Sequence, residues 1–516
     1  PARSRLKGLP MAEAQISTSA ERAGGRRLVS GILWNGLGRG LPLMLALVIT
    51  PFLVSALGVE RWGLFTLALA LIGIFSVFDL GLGMALTRGV SEKLGTGAVD
   101  EARAMIGATL LALLGVSSIM AVALFLTVPW LVGHFLNVPE ALQREATIAF
   151  QLLAAGAPLV VLNAALWGVL SAWQRFRIAN LVNVPLNTFY YLGPLLVLFF
   201  WNSLIGVMLA VILVRLFSGI AYAIVAHRDV PGLGLRAPRF GLMRPLLRQG
   251  LWMSLSGALT LLLLYADRFI IGAVLTLSAV AFYATPLDLV IRLWIIPVAV
   301  VQTMLPAIAS SFRELPDHTA LLIKRGALIV ILLSLPASLI LIAGAELFLR
   351  LWLGAEFAQG GGPVLRILGF GIFFSCLAFI PGVLLEAIGR PDVTAKFSIA
   401  LAAIFLPLSA ALLPWLGIEG AALAWAARCL MDCLGRCWFA ARLYPAVRET
   451  MRQLLWPIVP AALGLAGLVP LGGWLWPALL AALIFGLVFA AGWSIAAPQD
   501  KAHALRMIRR MGRRSA

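Results

Sequence analysis

The sequence predicts an all-α, polytopic membrane protein of about fourteen transmembrane helices, at about 20 residues per crossing. They fall into two pseudo-symmetric six-helix lobes, with two extra C-terminal helices. Three observations carry this prediction. First, the 516-residue chain is 61% hydrophobic and 12% charged, with a mean hydropathy of +0.99, whereas a soluble domain carries about 25% charged residues. Second, its long apolar runs are divided by short loops whose Lys and Arg favour one side. Third, the first part of the chain is echoed in the second. The formal charge of +18, from 40 Lys and Arg against 22 Asp and Glu, would suggest nucleic acid in a soluble protein. In a membrane chain such bases sit in loops and fix orientation, so no nucleic-acid partner is expected.

Residues 1–27 are polar and basic, with Arg3, Arg5, Lys7, Arg22, Arg26 and Arg27. No signal-peptide core precedes the first long apolar run. The stretch reads as a disordered cytoplasmic tail, with Met11 a candidate natural start. Hydropathy then places spans at residues 32–57, 63–87, 104–130, 147–171, 179–201, 204–226, 250–275, 281–310, 326–352, 364–387, 396–416, 419–441, 455–473 and 475–497. Trp34, Trp62, Trp130, Trp201, Trp252, Trp352, Trp415, Trp438 and Trp456 fall near predicted ends, as an interfacial aromatic belt does.

Alternate loops carry the positive charge. Arg88, Lys93 and Arg103, then Arg228, Arg236, Arg239, Arg244 and Arg248, then Arg442, Arg448 and Arg452 share one side, while the opposite loops and edges hold only Arg61, Arg144, Arg350 and Arg366. This bias predicts that both termini are cytoplasmic. The C-terminal bases from Lys501 to Arg514 can also touch anionic headgroups.

The repeat is visible in short matches. Gly31-Ile-Leu-Trp-Asn echoes Gly250-Leu-Trp-Met-Ser, and Ser171-Ala-Trp-Gln-Arg matches Glu386-Ala-Ile-Gly-Arg in position. The chain is therefore divided into the tail 1–27, an N-terminal six-helix lobe 28–227, a cytoplasmic linker 228–248, a C-terminal six-helix lobe 249–443, two extra helices 444–497 and a basic cytoplasmic tail 498–516. An even number of spans keeps both halves in the same orientation. An axis along the membrane normal should relate them, as in some transporters.

No enzyme constellation stands out. His134, His227, His318 and His503 are far apart in sequence. There is no HExxH, no phosphate-cradling GxxxxGK and no GxSxG. Cys429, Cys433 and Cys437 line one helix face inside an apolar run, which suits packing rather than metal or redox chemistry. The informative residues are charges inside the spans, each costing about 2.5–3.5 kcal/mol at a helix centre on insertion scales. The stretch Gly250 to Phe312 holds Asp267 and Arg268 in span seven and Asp288 and Arg292 in span eight. Arg39 is in span one and Asp79 in span two. Asp288 and Arg292 are four residues apart and can pair on one helix face. Arg215 and Arg428 fall at nearly matching points of the repeat, and Asp432 and Arg436 extend the latter into a ladder. Two readings stand. The charges pair with one another and hold the bundle together, or Arg39, Arg268 and Arg292 converge on a polar site. Guanidinium groups suit phosphate oxygens through forked, charge-assisted bonds. Arg39 and Asp79, nearer the cytoplasmic ends, can also snorkel.

The run Leu57-Gly-Val-Glu-Arg-Trp-Gly-Leu-Phe, with Phe78-Asp-Leu-Gly-Leu-Gly-Met-Ala-Leu-Thr-Arg88 after it, resembles the opening of the Wzx-type oligosaccharide (O-antigen/polysaccharide) flippases of the multidrug/oligosaccharidyl-lipid/polysaccharide exporter superfamily. Leu351-Trp-Leu-Gly-Ala-Glu-Phe357 and Ala387-Ile-Gly-Arg390 resemble its second half, and Trp62 stands where tyrosine is more usual. The resemblance covers about residues 28–497, a span count consistent with bilayer crossing. It implies two lobes in a V, a central cavity lined by spans one, two, seven and eight, alternating access, and a lipid-tail groove formed with the last two spans. The implied cargo is an undecaprenyl-diphosphate-linked oligosaccharide, moved from the inner to the outer leaflet of the bacterial inner membrane for surface polysaccharide biosynthesis. Membrane lipids, a polysaccharide polymerase and other glycan-assembly proteins are the implied partners. On this reading Arg39, Arg268 and Arg292, then Arg215 and Arg428, are candidates for the diphosphate. Asn35, Tyr265 and Gln302 are candidates for the sugars. Asp79, Asp267 and Asp288 either bind a coupling proton or sodium ion or orient the arginines. No other cofactor is expected, and no metal. The six charges of the central spans cancel, so a mixed cavity is expected.

Other readings compete. A cation-coupled drug exporter of the same superfamily would prefer an acidic, aromatic cavity with few arginines. A membrane glycosyltransferase or ligase using the same carrier would need a sizeable catalytic outer loop, and the longest predicted one is about fifteen residues, near an ordinary connection length. A non-transporting scaffold would not need unlike charges buried across several spans.

Overall fold

The computed structural model describes residues 44–75, 82–173, 175–229, 261, 263–471 and 475–502. Asn35, Arg39, Asp79, both tails beyond residues 44 and 502, most of the linker, and the Gly31 and Gly250 motifs lie outside the described residues.

The described chain is helical, without a strand among those residues. In the first half the helices are α1 (Met44–Leu57), α2 (Val59–Phe75), α3 (Leu82–Gly95), α4 (Val99–Trp130), α5 (Glu140–Ala172), α6 (Phe176–Leu198) and α7 (Leu204–Asp229). The second half holds α8 (263–274), α9 (Leu277–Ile291), α10 (Ile295–Ser311), α11 (Pro316–Ala343), α12 (Ala345–Leu353), α13 (Ala355–Ala387) and α14 (Pro391–Leu443). Then come α15 (Arg448–Leu468) and α16 (Leu475–Ile495). Ten helices among the described residues are long and apolar enough to cross a membrane. Predicted spans one, two and seven run partly through residues outside the described set.

Several predicted spans are interrupted, each for a physical reason. As a single rod, the 53 residues of α14 would measure about 80 Å, far beyond a hydrocarbon core of about 30 Å. Gly417 breaks it, with φ 57° and ψ −144°, a backbone that only glycine adopts readily. The chain then doubles back: a Cβ on Gly420 would lie 2.6 Å from the Leu412 carbonyl oxygen. The two halves of α14 match the predicted spans 396–416 and 419–441. Predicted span eight changes winding at Arg292–Trp294, a 3₁₀ turn between α9 and α10, and predicted span nine breaks at Gly344 between α11 and α12.

The repeat has a structural trace in α5 and α13. Both are 33 residues long. Both end on the same pair of bonds: Trp173 N–H to the Val169 carbonyl and Arg175 N–H to the Leu170 carbonyl, then Ile388 N–H to Leu384 and Arg390 N–H to Leu385. These bonds satisfy carbonyls that a helix end would otherwise leave open. In lipid, helices associate by close packing rather than by escaping water, so small residues collect at contacts. Gly371 on α13 is such a point, since a Cβ there would sit 2.9 Å from the Ala426 Cα on α14.

Among the described residues, the two halves are joined at one end. At the end with the short turns, opposite the basic loops, a Cβ on Gly63 of α2 would fall 2.1 Å from the Leu277 carbonyl oxygen of α9. Asn137 spans the halves: its amide nitrogen donates to the Ala273 and Leu275 carbonyls at 3.1 and 2.9 Å, and its N–H to Gly272 at 2.8 Å. It thereby serves the open carbonyls at the end of α8. One hydrophobic core runs through both halves, including Leu64, Phe75, Leu287 and Phe373. Toward the basic loops, two smaller cores belong to the first half alone, one around Leu86, Ile106 and Val169 and one around Leu170 and Tyr222.

Two tryptophans depart from the expected interfacial belt. Trp62 is buried and its indole N–H donates to the Thr285 hydroxyl at 2.8 Å. Trp352 donates to the Leu47 carbonyl at 2.7 Å. A buried indole needs a hydrogen-bond acceptor; for Trp62, and also for the half-buried Trp352, the other half of the chain supplies it. Trp130, Trp201, Trp415, Trp438 and Trp456 are exposed, as a belt requires.

Candidate functional site

The turn between α8 and α9 positions the charged stretch. The Thr276 hydroxyl caps α9 by accepting the Ala279 N–H at 3.2 Å, and this sets α8 and α9 side by side. Asp267 and Arg268 on α8 are then sealed, at 0% and 1% exposure. Asp267 accepts the Arg268 N–H at 2.9 Å and the Tyr283 hydroxyl of α9. The Arg268 guanidinium forks onto the Asp288 carboxylate, Nη1 to Oδ2 at 3.3 Å and Nη2 to Oδ1. A forked arginine–carboxylate pair is the geometry that best repays removing both charges from water.

This corrects the expected pairing of Asp288 with Arg292. The Asp288 carboxylate is taken by Arg268, and Arg292 only donates from Nε to the Asp288 main-chain carbonyl at 3.2 Å. Both Asp288 carboxylate oxygens are occupied by the Arg268 fork, which leaves Arg292 the main-chain carbonyl of the same residue. The expected ladder on α14 is also partial. Asp432 pairs with Arg436 at 2.7 Å, while Arg428 lies over the rings of Phe405 and Trp425 at 5.4 and 5.7 Å.

Two adjoining chambers open beside this network. The first, of about 330 Å³, lies between α1 and α2 on one side and α8 and α9 on the other, with Trp352 of α12 at its edge. Its polar lining includes Thr50, Thr66, Thr285, Arg268, Asp288 and Arg292. The second, of about 690 Å³, lies among α2, α3, α5, α6 and α7 and presents Asn163, Asn183, Asn187, Trp167, Tyr222 and Arg215. Tyr190, Tyr191 and Tyr265 belong to both and form the wall between them. Arg268 lies over the Tyr265 ring at 5.2 Å, and Arg215 over the Tyr190 ring at 5.3 Å. The wall is thus flanked by one cation on each side, each steadied by a ring face. Local sequence makes room for it. Gly73 leaves no side chain where the Tyr265 ring approaches, at 2.5 Å from a built Cβ, and Gly219 does the same for the Asn163 amide oxygen at 2.7 Å. Asn163 in turn donates to the Arg215 carbonyl at 2.8 Å.

The expected site residues separate into groups. Arg268, Arg292, Asp288 and Tyr265 meet in the first chamber, and Arg215 lines the second. Asp267 is sealed behind Arg268 and lines neither. Arg428 lies outside both linings, near enough to Asp267 to act on it electrostatically. Gln302 is exposed and lines neither chamber. Arg39, Asn35 and Asp79 lie outside the described residues. Among the described residues, Arg292 and Arg215 have no carboxylate within ion-pair distance, and the Arg215 Nε is buried without a hydrogen-bond partner. No group of three or more His, Cys, Asp or Glu is gathered there as a metal site.

Comparison with known proteins fits this architecture. Residues 28–312 match the family model described as polysaccharide biosynthesis protein. The chain belongs to the polysaccharide biosynthesis protein family. A putative O-antigen transporter of Shigella flexneri is 26% identical over 418 residues, which is 81% of this chain and 98% of that protein. Among solved structures, an inward-facing multidrug resistance MATE family transporter of the MOP superfamily superposes with a TM-score of 0.69 at 14% identity, covering 80% of this chain and 99% of the other. The lipid II flippase MurJ, in an inward closed conformation, gives a TM-score of 0.62 at 12% identity, covering 88% and 98%. The fold is that of these two membrane proteins.

Within this family member, the residues that sequence reasoning missed are mostly polar and aromatic groups of the second chamber. Asn163, Asn183 and Asn187 interrupt apolar helices as Arg215 does, and an unsatisfied amide is also costly in lipid. Tyrosine was a second usable signal: the chain has 6, and Tyr190, Tyr191, Tyr222 and Tyr265 all line the chambers.

Proposed function

We propose that this chain moves an undecaprenyl-diphosphate-linked oligosaccharide from the cytoplasmic to the outer leaflet of a bacterial inner membrane, for surface polysaccharide biosynthesis. It does so by alternating access between two six-helix lobes. One observation carries the reading: Arg292 and Arg215 face adjoining chambers, and neither has a carboxylate partner among the described residues. A cation left unpaired in a membrane bundle is costly unless a ligand or water meets it.

The cargo suits both chambers. A diphosphate and a sugar chain cannot cross hydrocarbon unaided, while a polyprenyl tail stays in lipid. Guanidinium forks match the diphosphate oxygens. The amides of Asn183 and Asn187 suit sugar hydroxyls, and the Trp167 and tyrosine rings suit apolar sugar faces. The name of the Shigella relative, a putative O-antigen transporter, supports a polysaccharide-precursor flippase. The basic loops would be cytoplasmic, with both termini inside and the joined end facing outward. Opening that end requires the Trp62–Thr285 and Asn137 bonds to break. Asp288 is reachable from the first chamber, with its side chain 33% exposed. A coupling proton or sodium ion there would loosen Arg268 and free it for the headgroup. A drug exporter of the same superfamily is less well served by two unpaired arginines.

The test is reconstitution. Proteoliposomes carrying a fluorescent polyprenyl-diphosphate oligosaccharide should let the probe reach a membrane-impermeant quencher from the inner leaflet. The Arg292→Ala, Arg215→Ala double variant should leave it protected. Translocation no faster than in protein-free vesicles, from correctly inserted native chain, would overturn the proposal.

A further inference from the structure

Away from the chambers, α11 and α16 enclose an apolar groove of about 530 Å³, lined by Leu328, Leu332 and Leu335 on one side and Phe485, Phe489 and Trp493 on the other. Neither helix lines a chamber. Phe489 and Trp493 are stacked at 20°, with centroids 6.1 Å apart, which makes one wall flat. The groove is polar only at its mouth, where Arg325, Asp500 and Lys501 stand at the basic end of the bundle. Arg325 pairs with Asp500 at 2.7 Å. Lys501 donates to the Ser494 carbonyl at 3.0 Å and has no carboxylate of its own among the described residues. Two bases thus face one acid, and one positive charge is left over.

The dimensions select the occupant. From Arg325 to Leu335 the groove follows α11 for ten residues, about 15 Å of rise. That is the depth of one leaflet in a hydrocarbon core of about 30 Å, and it suits an ordinary acyl chain better than a much longer polyprenyl chain. We propose that the groove is a resident site for an anionic phospholipid of the leaflet at the basic end. Its acyl chain lies between α11 and α16, and its phosphate meets Lys501 and Arg325. The site is separate from the cargo path, and its occupancy does not depend on what the chambers carry.

The experiment uses the full chain in phosphatidylcholine nanodiscs with a minor component bearing brominated acyl chains. Emission from Trp493 is taken as the difference from the Trp493→Phe variant. Brominated phosphatidylglycerol should quench at about five-fold lower mole fraction than brominated phosphatidylcholine, the preference expected for one uncompensated basic residue near a membrane surface. Lys501→Gln should remove that preference. Leu332→Trp, which fills the groove without changing charge, should also remove it. Equal quenching by the two lipids in the native chain would overturn the proposal, as would a preference that survives both substitutions. Recovery of emission on adding a polyprenyl phosphate at equal mole fraction would give the groove to the cargo tail, and would overturn it too.

Discussion

Arg268 and Arg292 stand in successive helices of the same half, both at depths where lipid rejects charge, yet their surroundings differ. Arg268 is 1% exposed, forked onto Asp288 and laid over Tyr265. Arg292 faces the same chamber with only a main-chain carbonyl at its Nε. The first belongs to a closed network that holds α8 against α9. The second has no carboxylate within ion-pair distance among the described residues. Charge inside a membrane helix therefore does not by itself mark a binding residue, and the two arginines differ in their partners.

The strongest way to break this comparison is at Arg268. Arg268→Ala leaves Asp267 and Asp288 without their cation, and removing one partner of a buried pair costs about 3–5 kcal/mol. The expected outcome is a large fall in melting temperature and in the amount of chain in the membrane, partly recovered when Asp288→Ala is added. A variant as stable as the native chain would place Arg268 with Arg292 instead. Next is Arg292→Ala. It should leave melting unchanged but weaken headgroup recognition by about 1.5–3 kcal/mol, or about 10- to 150-fold, read as lost export of the surface glycan.

Asp288→Asn sharpens the contrast by making Arg268 resemble Arg292. Stability should fall by about 1–2 kcal/mol as a charge-assisted bond becomes an ordinary one, while affinity for a polyprenyl diphosphate rises. Unchanged affinity would show that Arg268 cannot reach the cargo. The smallest effect is expected at the joined end. Trp62→Phe loses one hydrogen bond between the halves, worth about 1 kcal/mol, and should raise labelling by an impermeant reagent of a cysteine placed at Thr66, which lines the first chamber.

Much of the fold was legible in the sequence because lipid permits few solutions. Apolar runs long enough to cross had to be helices, and a run as long as 391–443 had to turn, which it does at Gly417. The chamber-facing arginines were legible for the same energetic reason. Their pairing was not. Spacing of four puts Arg292 within reach of Asp288, but it does not reveal that Arg268, on the neighbouring helix, takes both carboxylate oxygens. Trp62 looked interfacial because hydropathy locates a helix end but not the neighbour that covers it. Asn163, Asn183 and Asn187 went unread because a neutral amide in an apolar run is a weaker signal than a charge, and spacing alone does not show which amides face a chamber.

The most direct test of the account is equilibrium binding of a short-chain polyprenyl diphosphate to purified full-length chain and to the Arg292→Ala, Arg215→Ala double variant, with melting temperatures measured alongside. The account predicts that affinity falls by about 100-fold or more while both proteins melt together. Equal affinity in the two proteins would contradict it.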